Sequence, residues 1–262
     1  MDEDMGEHKQ LLLRAIKVDV QTCQRCRLAE TRTHALPGEG NLDACLLLIA
    51  QAPGEKEDLQ GKMFIGPSGP IIDEFLQGAG LSRDDVYMTN LVKCHLPKNR
   101  RPKQDEIEAC SAFLSREIAA LQPNVLVPLG FYATRHILDS CGISRPSARA
   151  DFKSLYGRLA LAGDRKVYPL PHPSALLHDR SFEPFMARAY QKLQVLSRPC
   201  RWYPLCPMRR FFEQGRLDRS WIEAYCHGDW ESCIRYRMEE SGEPHSDFLL
   251  PDGTTLPNES LC

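Results

Sequence analysis

The sequence predicts an α/β protein, a three-layer α/β/α sandwich around a central, mostly parallel sheet of about four strands, with a small cysteine-rich helical module after it. Three observations carry this expectation. Largely apolar runs such as ACLLLIA (44–50) and NVLVPLG (124–130) are bounded by turn residues, as strands buried on both faces are. Segments with apolar residues at helical spacing alternate with those runs, which is the pattern of parallel strands joined by covering helices. After Pro199 the texture changes to cysteine, arginine and aromatic residues.

In chain order, residues 7–22 place apolar groups at helical spacing, and 44–50 read as the first strand. GPIIDEFLQGAG (69–80) reads as a helix closed by glycine, and DVYMTNLVKC (85–94) as the next strand. A strongly periodic helix is expected over 103–122, stopped by Pro123. The strand at 124–130 leads into a helix through Leu138, and RKVYPLPHPSALL (165–177) reads as a last strand entering a proline-rich turn. A helix over 182–197 closes a first domain at 1–198. Residues 199–262 form a cysteine-rich extension expected to bind a metal or cluster, its last twenty residues an extended tail. In such sheets ligands bind beyond the carboxyl ends of the strands, where Asn90, His172 and the acids after Ala50 fall.

The composition is 42% hydrophobic and 26% charged with a formal net charge of −2, which is ordinary for a globular protein and gives no bulk signal for a polyanionic partner. No apolar run is long enough to cross a bilayer, and Met1 opens an acidic stretch, so the expectation is an intracellular, cytoplasmic monomer without a membrane partner. Eleven cysteines then stand out, because in a reducing compartment grouped cysteines are more often metal ligands than disulfides. Cys23-x2-Cys26 and Cys94-x15-Cys110 can together close a four-thiolate site, for which spacing admits zinc and a four-iron–four-sulfur (4Fe-4S) cluster alike. Cys45, Cys141 and Cys262 stand alone and read as small buried or surface thiols.

The loop between two of those cysteines, KCHLPKNRRPK (93–103), carries five cationic side chains and no acid, a pattern suited to phosphate contacts when the loop is fixed. GEKEDLQGKM does not fit a phosphate loop, since six residues separate Gly54 from Gly61 and Met63 stands where a hydroxyl would hold magnesium. PHPSALL (171–177) sets His172 between two prolines at the same sheet edge as Asn90, with Ser174 beside it.

AQAPGEKED…GKMFIGPSG, VYMTNLVKCHLPKNRRPKQDEIEAC, VPLG and PHPSALL together resemble the uracil-DNA glycosylase superfamily, closest to its family 4, the iron–sulfur type, over roughly residues 10–195. That resemblance implies a 4Fe-4S cluster on Cys23, Cys26, Cys94 and Cys110, uracil-containing DNA as partner, and hydrolysis of the glycosidic bond of a flipped-out base in base excision repair. Phe64 would be the stacking platform, and Asn90 offers the donor and acceptor that complement uracil O4 and N3–H. His172 would hydrogen-bond O2 as negative charge builds there, with backbone groups at Gln51 and Ala52 assisting. Ser174 and Ser68 are candidates to hold phosphates, and Leu176, Leu177 or His178 to wedge into the gap. Glu57 lines the base pocket, to position water, stabilise a cationic sugar or block a 5-methyl group, whereas Glu55 and Asp58 read as a solvated acidic turn.

One departure stands out. Family 4 carries Gly-Glu-(Ala/Gly)-Pro-Gly where this chain has Ala50-Gln51-Ala52-Pro53-Gly54. Family 1 has Gln at that place followed by an Asp, and here Ala52 follows, so Glu57 is the nearby carboxylate left. The rival readings are a non-catalytic nucleic-acid-binding or damage-sensing protein on the same fold, and an electron-transfer protein.

The extension holds a second set, Cys200-x5-Cys206-x19-Cys226-x6-Cys233, in a segment too short to fold on its own core. Zinc and a second iron–sulfur cluster fit it equally, and the plain alternative is a helical hairpin with incidental thiols. Residues 198–219 interleave six Arg with Trp202, Tyr203, Phe211 and Phe212, which suits single-stranded nucleic acid or packing against the main domain. The sequence is silent on a sliding clamp or other repair partners.

Overall fold

Leu46–Ala50 is buried at every position, and that burial organises the molecule. Leu47 and Ile49 face one apolar cluster and Leu46, Leu48 and Ala50 face the other, as the two-residue period of a strand requires. A computed structural model describes residues 2–163 and 165–257, so Cys262 and the end of the chain lie outside the described residues.

The elements run α1 (Asp2–Gln21), β1 (Glu39–Gly40), β2 (Leu46–Ala50), α2 (Glu55–Gln60), α3 (Ser68–Gly78) and β3 (Val86–Asn90). They continue with α4 (Gln104–Leu121), β4 (Val125–Pro128), α5 (Phe131–Ser140), β5 (Ala160–Ala162) and β6 (Arg165–Val167). The rest are α6 (Ala175–His178), α7 (Glu183–Leu196), α8 (Pro207–Glu213), α9 (Arg219–Trp221), which runs on into a π-helical turn at Ile222–Cys226, and α10 (Ile234–Ser241).

Among the described residues the sheet has six strands in the order β1-β3-β2-β4-β6-β5. The four in the middle are parallel, as expected, with Leu48 opposite both Met88 and Val127. The two extra strands, β1 and β5, are antiparallel edges. They are two and three residues long, too short for any periodic signal, which is why the sequence suggests about four strands. Helices α1, α4 and α5 pack on one face of the sheet, and α3 and α7 on the other, giving three layers. No helix among the described residues is long and apolar enough to cross a membrane.

The exit of β3 is fixed by a buried polar network. The Lys93 ammonium donates to Glu117 Oε2 and to Thr89 Oγ1, both at 2.6 Å, and Thr89 Oγ1 donates to the same carboxylate oxygen at 2.8 Å. Glu117 Oε1 accepts from the Gly38 amide at 3.0 Å. Lys93 and Glu117 are each 1% exposed. Lys93 is therefore no part of the basic loop's outer face, contrary to its reading from sequence. A cationic side chain in that position is tolerated only because a carboxylate meets it. Arg100 is likewise engaged, its guanidinium forked onto Glu106 at 2.8 and 2.5 Å. Lys98, Arg101 and Lys103 remain exposed.

Beyond α7 the chain builds a small apolar cluster of its own from Met208, Phe211, Leu217, Ile222, Cys226 and Leu250. The expected extended tail is instead folded back. Ile234 donates to the Pro251 carbonyl, and Arg235 Nη1 to the carbonyls of Ser246, Asp247 and Leu249. This segment is tied to the sheet through Lys166 of β6, which meets Glu223 at 2.6 Å and the His227 carbonyl at 2.9 Å. Lys192 of α7 meets Asp229, and the Trp230 indole donates to the carbonyls of Val195 and Arg198. The arginine–aromatic interleaving serves packing here: Phe211 stacks on Phe248 at 5.5 Å, with Arg216 over both rings.

Breaking the Lys93–Glu117 pair from one side is expected to cost about 3–5 kcal/mol, since it strands the other charge. Lys93→Met should show that loss in urea unfolding, and Lys93→Met with Glu117→Leu should recover much of it.

Candidate active site

The parallel strands end on one edge, and the direction of the crossovers reverses between β2 and β4. A cleft of about 640 Å³ opens there, walled by the turns after β2, β4 and β6 and by the Met63–Ser68 loop. Gln51, Ala52, Glu57, Phe64, Ser68, Asn90, His172 and Ser174 all line it. The residues singled out for base recognition, spread over more than a hundred positions, therefore meet in one place.

Phe64 has φ of 51°, in the left-handed region that an aromatic residue rarely adopts. Two interactions hold it there. Arg83 donates to the carbonyls of Met63 and Phe64, at 3.2 and 2.7 Å, while its other edge is anchored on Asp73 at 2.6 Å. Gly69 makes room, because a side chain there would meet the Phe64 carbonyl at 2.0 Å. Strain of this kind clusters at ligand-binding positions. Met63 and Gly69 fall in the GKMFIGPSG motif without a role assigned to them, and Arg83 carries no signal in the sequence.

Asn90 sits at the end of β3, buried, with its amide nitrogen 3.1 Å from the Met63 sulfur, a weak acceptor that a better one displaces readily. His172 Nδ1 accepts the Ser174 backbone amide at 3.1 Å and lies 2.8 Å from Ser174 Oγ. That contact assigns the ring hydrogen to Nε2, which becomes the donor. Burial lowers the His172 pKa to about 4, so the ring is a neutral donor at neutral pH. Its plane faces Phe64, ring centres 6.5 Å apart and inclined by 26°.

Glu57 is buried, and its Oε1 accepts the Gly66 amide at 2.8 Å. Side chains at Gly54 or Gly66 would run into its carboxylate, at 2.5 and 2.9 Å. The carboxylate thus ties α2 to the loop that carries Phe64 and packs closely against Gly54. The Gln51 carbonyl is engaged by the Val92 amide at 3.0 Å. Asp58 departs from its expected place in a solvated turn. It is buried and accepts the amides of Thr33 and His34, at 2.9–3.1 Å, binding the segment after α1 to α2. Glu55 is exposed, as read from sequence. At the cleft rim Leu177 (49% exposed) and His178 are exposed, whereas Leu176 turns towards the core.

Both cysteine sets converge. Cys23, Cys26, Cys94 and Cys110 line one small enclosed cavity with Val20 and Phe113, and every cysteine among the described residues is free. Burial raises the Cys94 thiol and pushes Cys110 up to about 11, opposed by Arg32, whose guanidinium lies 3.3 Å from the Cys94 sulfur, and by the Lys93 amide and ammonium at Cys110. Four thiols with cations beside them suit a multi-iron cluster. Among the described residues no three His, Cys, Asp or Glu side chains group tightly enough to hold a single ion. His95, next to Cys94, reaches the wall of the cleft, its Nδ1 3.0 Å from the Pro53 carbonyl.

Phe64, the buried Asn90 amide and the neutral His172 imidazole share one cleft, an arrangement with the shape and donors to hold a planar, hydrogen-bonding ring. Comparison with known proteins gives the family: the model of the Uracil DNA glycosylase superfamily matches residues 37–194, and the chain belongs to that superfamily. It is 37% identical to a type-4 uracil-DNA glycosylase of Saccharolobus solfataricus, over 67% of this chain and 82% of that one. It is 34% identical to the type-4 uracil-DNA glycosylase of Sulfurisphaera tokodaii, over 80% of this chain and 93% of that one. A type-5 uracil-DNA glycosylase of Pyrobaculum aerophilum is 34% identical over 54% of this chain.

The low His172 pKa sets a pH dependence of stability. Between about 4 and 6.5 the unfolded chain takes up a proton that the folded ring refuses, so this contribution is complete above 6.5 and is lost as pH falls towards 4. His172→Gln should lose less stability than the parent between pH 7 and pH ~4.5 in urea unfolding.

Proposed function

We propose that this protein removes uracil from DNA by hydrolysing its glycosidic bond, acting in base excision repair. The reading rests on one observation, the meeting of Phe64, Asn90 and His172 in a single cleft of a superfamily member. A base inside the stack exposes no face of its glycosidic bond to such a cleft, so the nucleotide is extruded and its ring lies on Phe64. Asn90 exchanges its sulfur contact for uracil O4 and N3–H, a pairing that cytosine mismatches. As the C1′–N1 bond breaks, its electron pair stays with the base. The Nε2–H of His172 stabilises the charge that gathers at O2, and the amides at Gln51 and Ala52 add to that field. Water bonds to C1′, and the proton it releases neutralises the departing uracil.

Glu57 has two parts in this scheme. It positions the Phe64 loop, and its negative charge favours the cationic sugar. Ser174 and Ser68, the latter at the start of α3, face the backbone phosphates, and Leu177 and His178 fill the space vacated by the base. Lys98, Arg101 and Lys103 are the outer cations for further phosphate contacts.

Cys23, Cys26, Cys94 and Cys110 would hold a 4Fe-4S cluster, whose chemistry when bound is that of a cross-link. These four residues pin the end of α1 to both ends of the basic loop, and His95 carries that fixation to the Pro53–Gly54 turn. In this reading the protein acts beside DNA in the cytoplasm as a monomer, which is supported by every proposed group coming from one chain.

The neutral Gln51 favours a second reading, a sensor that binds the lesion without cutting. Incubation with a uracil-containing oligonucleotide followed by alkaline cleavage separates the two. Cut strand is expected; tight binding with intact strand would overturn the glycosylase. Under single-turnover conditions His172→Ala should slow excision by about 10²–10³-fold. Glu57→Gln keeps an acceptor for the Gly66 amide, so slower excision with unchanged binding reports the charge, and an unchanged rate would remove it from the mechanism.

A further inference from the structure

The second cysteine set belongs to no part of the mechanism above, and the superfamily match ends at residue 194. Cys200, Cys206, Cys226 and Cys233 nevertheless line one cavity of about 210 Å³. They arrive from four places: the end of α7, the start of α8, the π-helical turn and the start of α10. Cys200 and Cys226 are further joined through the backbone, amide to carbonyl at 2.7 Å. None is in a disulfide. Incidental thiols on a helical hairpin would have no reason to converge.

A second observation points at a ligand. Arg235 lines the same cavity, is 2% exposed, and directs Nη1 to three backbone carbonyls, yet among the described residues its Nε–H meets no acceptor. A buried cationic donor without a partner is costly unless an anion meets it. The Tyr203 amide donates to the Cys200 carbonyl at 3.0 Å, which turns the backbone around that thiol. Trp202, Tyr203, Trp230 and Tyr236 wall the space.

We propose that Cys200, Cys206, Cys226 and Cys233 bind a second 4Fe-4S cluster, with Arg235 Nε–H donating to one of its sulfurs. The choice against zinc is geometric. A zinc ion draws four sulfurs to within about 2.3 Å of one point. Here the four thiols line one cavity of about 210 Å³, room for a cluster rather than for one ion. The apolar cluster of this segment is small, so cross-linking four of its elements supplies the rigidity its core lacks.

The test is metal content of the full chain, purified without oxygen and compared with two double variants. The parent should carry about eight iron and eight acid-labile sulfide, two clusters of four. Cys206→Ser/Cys233→Ser should retain about half of that iron and its uracil excision, and Cys94→Ser/Cys110→Ser should also retain about half. About one zinc per chain that leaves with Cys206→Ser/Cys233→Ser would overturn the proposal. So would iron at half the expected level that vanishes entirely in Cys94→Ser/Cys110→Ser. Should the first double variant not fold, electron paramagnetic resonance of the reduced parent decides, two paramagnetic clusters supporting the proposal and one overturning it. Excision is read separately, so failure of the glycosylase reading leaves this test intact.

Discussion

The buried pair of Lys93 and Glu117 is the constraint on which the working edge of the molecule depends. Taking two charges out of water is unfavourable unless each meets the other in good geometry and the remaining lone pairs are also occupied. Here Thr89 and Gly38 complete the set, so the network joins β3, α4 and the segment before β1 at one point. Asn90 precedes that lysine by three residues and Cys94 follows it directly. One polar knot therefore sets where the Asn90 amide points and where the Cys94 thiol enters its cavity. The Leu36 amide on the Lys93 carbonyl, at 2.7 Å, extends the same control to the N-terminal segment.

Much of the fold is legible in the sequence because its strands are buried on both faces and its helices are amphipathic. Runs such as Leu46–Ala50 admit one environment, and the helix over Gln104–Leu121 has a clear period and a stop. The edge strands are not legible, being shorter than any pattern. Charge is where sequence reading fails most. Lys93 and Asp58 look like surface residues in a list, and only their partners, 24 or 25 positions away, bring them inside. The candidate site is legible as a set of residue types at a common sheet edge. Its mechanics are not, since the conformation of Phe64 depends on Arg83, which no motif connects to it.

The cleft also gives Gln51 a physical setting. A neutral side chain after β2 leaves Glu57 as the buried carboxylate at the base pocket, and Glu57 is occupied in tying α2 to the Phe64 loop. Structure and chemistry are thus loaded onto one residue, and removing it outright would confound the two. The conservative amide separates them, because shape is retained while charge is lost.

The left-handed backbone at Phe64 has a consequence for how ligand binding is divided in time. A loop that adopted this conformation only on meeting its base would draw the conformational energy from the encounter, on the order of 1–3 kcal/mol, and would bind correspondingly less well. With Arg83 already in place, that energy is met during folding and charged against the stability of the whole domain. The platform then receives its ring as a preorganised surface. Sequence drift at Phe64 is narrowed for the same reason: a β-branched replacement would have to tolerate the backbone before it could offer anything to a base.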